Sequence, residues 1–174
     1  MQRVVKNLGY LKPYTNFLAL YENHFFLSRC KPPLVWNPGQ VINGNELASL
    51  IFEKIRSHLA DVFSMHRRII PPTLGYILVG KNPDSCRYVA LKKRACLHVG
   101  IIPYGFEVES TISQSSLEAI VEEMNNDKKV SGIMVQLPLP PHLDPESINS
   151  LIRPDKDLDG LHPFNVQSLS SSLF

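Results

Sequence analysis

The stretch that decides the fold is TLGYILVGKNPDSCRYVALKKRACLHVG, Thr73 to Gly100. Thr73–Val79 is a short apolar and β-branched run ended by Gly80. It suits a strand buried on both faces, although a run this short is also compatible with helix. Asn82-Pro83-Asp84 reads as a turn, and Ser85 stands where an N-cap hydroxyl would close the first turn of a helix. In that helix Tyr88 and Lys92 are four apart and share a face. Val89, Ala95, Cys96 and Val99 lie on the other side, where they can pack on a sheet. A phenol and an ammonium at the carboxyl end of a buried strand sit where open α/β sheets hold ligands.

Downstream, Gly100 predicts a C-cap, and Ile101–Val108 predicts a second strand weakened by Pro103 and Gly105. Ser113 or Ser115 caps the next helix, whose Leu117, Ile120, Val121 and Met124 recur at helical spacing. Asn125-Asn126-Asp127 ends it. Gly132–Leu137 predicts a third buried strand closed by Pro138, Pro140 and Pro141. Pro145 and Glu146 open a short helix to Ile152, and Pro154 closes it. Upstream, Val41-Ile42 reads as a short extended piece and Asn43-Gly44 as a turn. Leu47, Leu50, Ile51, Ile55, Leu59, Val62 and Phe63 then form the apolar stripe of a long amphipathic helix reaching about His66. Pro71-Pro72 stops that helix. Strands alternating with helices at this spacing predict a three-layer α/β/α domain with a mostly parallel sheet.

The composition bounds the function classes. With 174 residues, 44% hydrophobic and 20% charged, the chain is long enough for one ordinary domain with a proper core. A formal charge of +2 gives no argument for nucleic acid. The clusters His66-Arg67-Arg68 and Lys92-Lys93-Arg94 are read as solvated helix surface. Three cysteines, Cys30, Cys86 and Cys96, show no CxxC spacing, and the six histidines show no ligand motif. A reducing compartment follows, with neither a disulfide framework nor a structural metal. No apolar run has the length of a membrane span. Residues 1–39 are basic, with Glu22 as the one acid, and rich in Tyr and Phe. They form either a mitochondrial presequence or a poorly ordered extension. The location expected is therefore mitochondrial or cytoplasmic.

Four segments in order, VINGNELA, ILVGKNPDSCRYVALKKRAC, GIMVQLPLPPHLD and IRPDKDLDGLHPFN, together resemble one family. It is the amino-terminal, folate-binding catalytic domain of the methylenetetrahydrofolate dehydrogenase/methenyltetrahydrofolate cyclohydrolases. The resemblance covers about Gln40 to Asn165 and sets a domain of residues 40–166, followed by a Ser-rich tail of residues 167–174. It implies tetrahydrofolate one-carbon chemistry: oxidation of the methylene form with NADP or NAD, then hydrolysis of the methenyl form to 10-formyltetrahydrofolate.

The family's YxxxK pair falls on Tyr88 and Lys92. The resemblance implies that Lys92 is the central catalytic group and that Tyr88 stacks on the folate. Gln136 is implied to hydrogen-bond and orient Lys92, with Val135 and Leu137 lining the substrate cleft. Asp159, the second aspartate of the family's KDVDG motif with Leu158 in place of valine, is implied to accept two parallel bonds from the pterin. Ser85 matches a serine that assists at the site. A homodimer is implied as well, with no nucleic acid or membrane partner.

Taken alone, each of these residues has a plainer reading: a surface Tyr–Lys pair, a strand-end glutamine, loop acids at Asp157 and Asp159, and Cys86 as a bystander. YxxxK also belongs to short-chain dehydrogenases, but their upstream glycine-rich loop is absent. The match lapses after Val166, and no GxGxxG or GRSxxVG loop occurs. The family's second, Rossmann-type dinucleotide-binding domain is missing from these residues. This chain alone is therefore expected to lack dehydrogenase activity and to keep at most weak cyclohydrolase activity. The alternative is a non-catalytic fragment that binds folate weakly or dimerises with a full-length paralogue.

Overall fold

The computed structural model describes residue 41, residues 43–65 and residues 70–171. The expectations for residues 1–39, Ile42, His66-Arg67-Arg68 and the last three residues lie outside these. Helix α1 spans Gly44–Met65. The side chain of Asn43 accepts from the Asn45 and Glu46 amides and caps it.

From Ile70 onward the order is β1 (Thr73–Val79), α2 (Pro83–Val99), β2 (Ile102–Val108), α3 (Gln114–Asn126), β3 (Gly132–Val135), α4 (Pro145–Leu151) and α5 (Pro163–Ser171). The three strands form one parallel sheet in the order β2-β1-β3. Period-two alternation sends β1 side chains to both faces. Ile77 and Val79 meet Phe106, Leu117, Val121, Met124, Ile133 and Ile148 under α3 and α4. Tyr76 and Leu78 meet Val89 and Met134 under α2. The three expected layers are present. A fully buried Ile or Leu stabilises by about 1.5–3 kcal/mol, so β1 anchors both sides.

Pro103 and Gly105 are tolerated because β2 is an edge strand. Gly105 is also required there: a Cβ would run into the Tyr76 carbonyl oxygen and ring. Ser113 caps α3, its hydroxyl accepting from the Ser116 amide. Gly100 closes α2 in the left-handed region at φ 90°.

Two local expectations are corrected. Ser85 is not the N-cap of α2. Asn82 is, its side chain accepting from the Asp84 and Ser85 amides at 3.0 and 3.1 Å. Pro83, which has no N–H to satisfy, takes the first helical position. The third strand stops at Val135, although the Gln136 amide still donates to Ile77 O at 2.9 Å. The Leu137–Pro138 peptide is cis. Helix α5 runs through the boundary expected between Val166 and Gln167.

Candidate functional site

The chain leaves β1 toward β2 through α2, on one face of the sheet. It reaches β3, on the other side of β1, through α3 on the opposite face. The carboxyl ends of β1 and β3 therefore flank the crevice where such a sheet accepts a ligand.

Lys92, in the third turn of α2, reaches this crevice. Its Nζ lies 3.3 Å from Gln136 Oε1 and 3.6 Å from Met134 Sδ. Met134 and Gln136 alternate with Val135 along the strand and so share the α2 face. The orientation of the Gln136 amide follows from its other end. Nε2 donates to Leu137 O at 2.7 Å, which turns the oxygen toward the ammonium. Ser85, only 3% exposed, directs its hydroxyl at the same carbonyl from 3.5 Å. Ser85, Leu137, Gln136 and Lys92 thus form one chain of polar contacts. Tyr88 lies one turn before Lys92 on the same helix face, 58% exposed, with its ring open to a ligand.

Val135 does not fit its expected role. Alternation turns its side chain away from Lys92 and into the core, where it is 2% exposed and packs with Ile77 and Ile133. Leu137, past the end of the strand, is exposed beside the crevice.

Asp159 lies on the far side of β3. Residues 156–158 run beside the strand, through Ile133 N to Lys156 O (2.6 Å) and Leu158 N to Ile133 O (3.3 Å), with a parallel bridge between Ile133 and Asp157. Asp159 comes after that bridge, toward the carboxyl end of the sheet. It is exposed, and its carboxylate has no hydrogen bond or ion pair among the described residues.

Asp157, which the sequence offers only as a loop acid, is by contrast fully engaged. It accepts from the amides of Gly160, Leu161 and His162 and from Asn165 Nδ2, the last at 2.9 Å. Burial alone would raise its pKa, but the bonds from Asn165 and these amides outweigh that and lower it. Met134 could have been found from alternation along β3. Lys156 could not, because its partners are some thirty residues away.

Behind the site, Tyr76 donates to Glu107 at 3.3 Å, and Lys93 reaches Glu107 at 3.2 Å. Burial raises the Tyr76 pKa although Lys93 opposes it. For Lys93, burial would lower the pKa, but the contacts with Tyr76 and Glu107 raise it. This cluster ties α2 to the sheet edge.

The residues present do not fit a nicotinamide dinucleotide. The β1–α2 turn has the single glycine Gly80, and the first free amides of α2 are already taken by Asn82. Among the described residues, no group of three or more His, Cys, Asp or Glu could hold a metal ion, and no helix is long and apolar enough to cross a membrane.

A parallel three-layer domain with a lysine and a glutamine in contact at the carboxyl end of its sheet belongs to the α/β class, whose ligand crevice lies at that end. The profile described as "Tetrahydrofolate dehydrogenase/cyclohydrolase, catalytic domain" matches residues 42–159, and the chain belongs to this family. It is 41% identical over 130 residues to the bifunctional protein FolD of Helicobacter hepaticus, covering 75% of this chain and 44% of that protein. It is similar to the Trypanosoma brucei N5,N10-methylenetetrahydrofolate dehydrogenase-cyclohydrolase solved with NADP cofactor and inhibitor. That match has a TM-score of 0.72 and 35% identity over 75% of this chain and 43% of the other. A 5,10-methylenetetrahydrofolate dehydrogenase from the silkworm Bombyx mori matches with a TM-score of 0.71 and 33% identity, covering 75% and 44%. The chain spans less than half the length of these relatives.

Proposed function

We propose that this chain binds a reduced folate and carries the proton-transferring side of methylenetetrahydrofolate dehydrogenase/methenyltetrahydrofolate cyclohydrolase chemistry. The observation that carries the proposal is the 3.3 Å contact between Lys92 Nζ and Gln136 Oε1, two residues 44 positions apart. In the hydrolytic step, water adds to the carbon that bridges N5 and N10 of 5,10-methenyltetrahydrofolate. Both protons then leave that oxygen: one is released, and the other goes to N5 as the bond from carbon to N5 breaks, giving 10-formyltetrahydrofolate. Lys92 Nζ takes the proton from the attacking water oxygen. Gln136 fixes the direction of Nζ, Tyr88 offers a flat face to the folate, and Asp159 accepts from the pterin N–H and amino groups. Ser85 supports the Leu137 carbonyl from beneath. The residues of this chain do not fit a nicotinamide dinucleotide, and their roles lie on the folate side alone.

The test follows loss of the methenyl chromophore at fixed pH, corrected for spontaneous hydrolysis. Wild type should exceed the blank and Lys92→Met should match it; equal rates above the blank for the two proteins would remove the lysine from the mechanism. The exposure of Tyr88 and Lys92 on one open face favours a second reading, folate binding without turnover. Saturable folate binding with wild-type hydrolysis equal to the blank would select it. Self-association into a homodimer, checked by sedimentation, and import into mitochondria, supported by the basic residues 1–39, belong to the same proposal.

A further inference from the structure

The segment bearing Asp159 is fixed at three points, and none of them uses Asp159. Lys156 is 9% exposed, and its Nζ donates to the carbonyls of Met124 at 3.1 Å, Asn125 at 2.9 Å and Asp127 at 2.8 Å. These lie at the carboxyl end of α3, where a helix leaves acceptors unpaired and its dipole favours a cation. Only the ammonium form has three protons to give. The second point is the Asp157 carboxylate, which gathers the amides of residues 160–162. The third is Leu158, whose side chain lies where a Cβ on Gly132 would be.

We infer that Lys156 and Asp157 are positioning residues for Asp159: one ties the segment before it to the end of α3, and the other orders the turn after it. Helix α3 does not need the ammonium in order to stop, because the Asp127 amide already closes it on Glu123 O. An apolar side chain at position 156 would fill the same space without the desolvation penalty of a buried charge. What it could not do is draw three carbonyls to one point, three residues before Asp159. The ligand part of this inference rests on the folate reading; the positioning part does not.

The experiment uses the 174-residue chain with Lys156→Met and Asp157→Asn. Amide hydrogen exchange is read by NMR at residues 160–162, and binding is titrated calorimetrically with 5-formyltetrahydrofolate. Both variants should speed exchange at Gly160, Leu161 and His162 at least tenfold while Tyr76–Val79 keep wild-type protection. Lys156→Met should weaken binding at least tenfold, and should weaken it no further when added to Asp159→Ala. Unchanged exchange at residues 160–162 in the folded variants would overturn the inference. So would a binding loss from Lys156→Met that is as large with Asp159→Ala as without it. Asp157→Asn, nearly isosteric, keeps the exchange test decisive if Lys156→Met does not fold. A wild-type chain that binds no 5-formyltetrahydrofolate would overturn the folate reading, while the exchange rates still decide the positioning.

Discussion

Replacing Gly132 by alanine should disturb the site through Leu158. The new Cβ would lie 2.5 Å from Leu158 Cδ2, 2.6 Å from Cγ and 2.8 Å from Cδ1, whereas ordinary contact begins at 3.4 Å. The leucine side chain must therefore retreat by about 0.6–0.9 Å. Its backbone cannot follow easily, because Leu158 N and Lys156 O are both bonded to Ile133. Leu158 is 54% exposed, so rotation into solvent relieves part of the clash. The cost should fall toward the lower part of the range for over-packing, about 1–3 kcal/mol. Urea unfolding of Gly132→Ala, Leu158→Ala and the double variant would measure it. Leu158→Ala should cost little alone and should recover most of the loss in the double variant, a coupling of about 1 kcal/mol or more. Because Asp159 follows Leu158 directly, folate affinity should fall in Gly132→Ala and return in the double variant. Strict additivity, within about 0.3–0.5 kcal/mol, would refute the contact.

Two further outcomes follow from local geometry. Asn82→Ala should cost about 1 kcal/mol in urea unfolding, because two α2 amides lose their acceptor; Ser85→Ala should leave those two bonds intact. Asp157 has its folded pKa depressed below the ordinary 3.8, so its contribution is complete above that value and is lost as pH falls through the lower folded value. The stability gap between wild type and Asp157→Asn should thus be flat from neutral pH to about 4 and close below it, as read from urea midpoints across the acid range.

The elements were legible where local chemistry decides them. The unbroken apolar run of β1, helical spacing in α3 and glycine at position 100 all act within a few residues, and the structure follows them. Residue type alone does not locate the cap of α2, because Asn82, read as a turn residue, is as good a cap as Ser85. Pro83 decides between them, since its fixed φ suits the first helical position. The pairing of Lys92 with Gln136 became legible through family resemblance, because spacing along the chain says nothing about two residues on separate elements. Val135 shows the converse. Its neighbour faces the crevice, and strand alternation by itself implies that Val135 faces away. Lys156 stayed hidden because a lysine in a loop is ordinarily solvated, and only the fold brings the end of α3 to it.

The site's groups are held by two independent means, and this makes their roles separable. Lys92 and Gln136 are oriented by contact between α2 and the end of β3, whereas Asp159 is presented by the segment that Lys156, Asp157 and Leu158 hold. A group that acts only as the bond to carbon forms or breaks should lower kcat and leave KM unchanged, while one that grips a part of the substrate remote from the reacting carbon should act first on KM. Lys92→Met should therefore abolish hydrolysis of 5,10-methenyltetrahydrofolate while 5-formyltetrahydrofolate still binds. Asp159→Ala, which removes the carboxylate proposed to accept two hydrogen bonds from the pterin, should raise KM by about tenfold or more and retain most of kcat at saturation. Gln136→Leu, which frees Lys92 and leaves Asp159 untouched, should resemble the lysine variant in the sign of its effect but with partial loss. If Asp159→Ala instead lowered kcat with KM unchanged, the carboxylate would have to act at the reacting carbon, and the division between the two sides of β3 would be wrong.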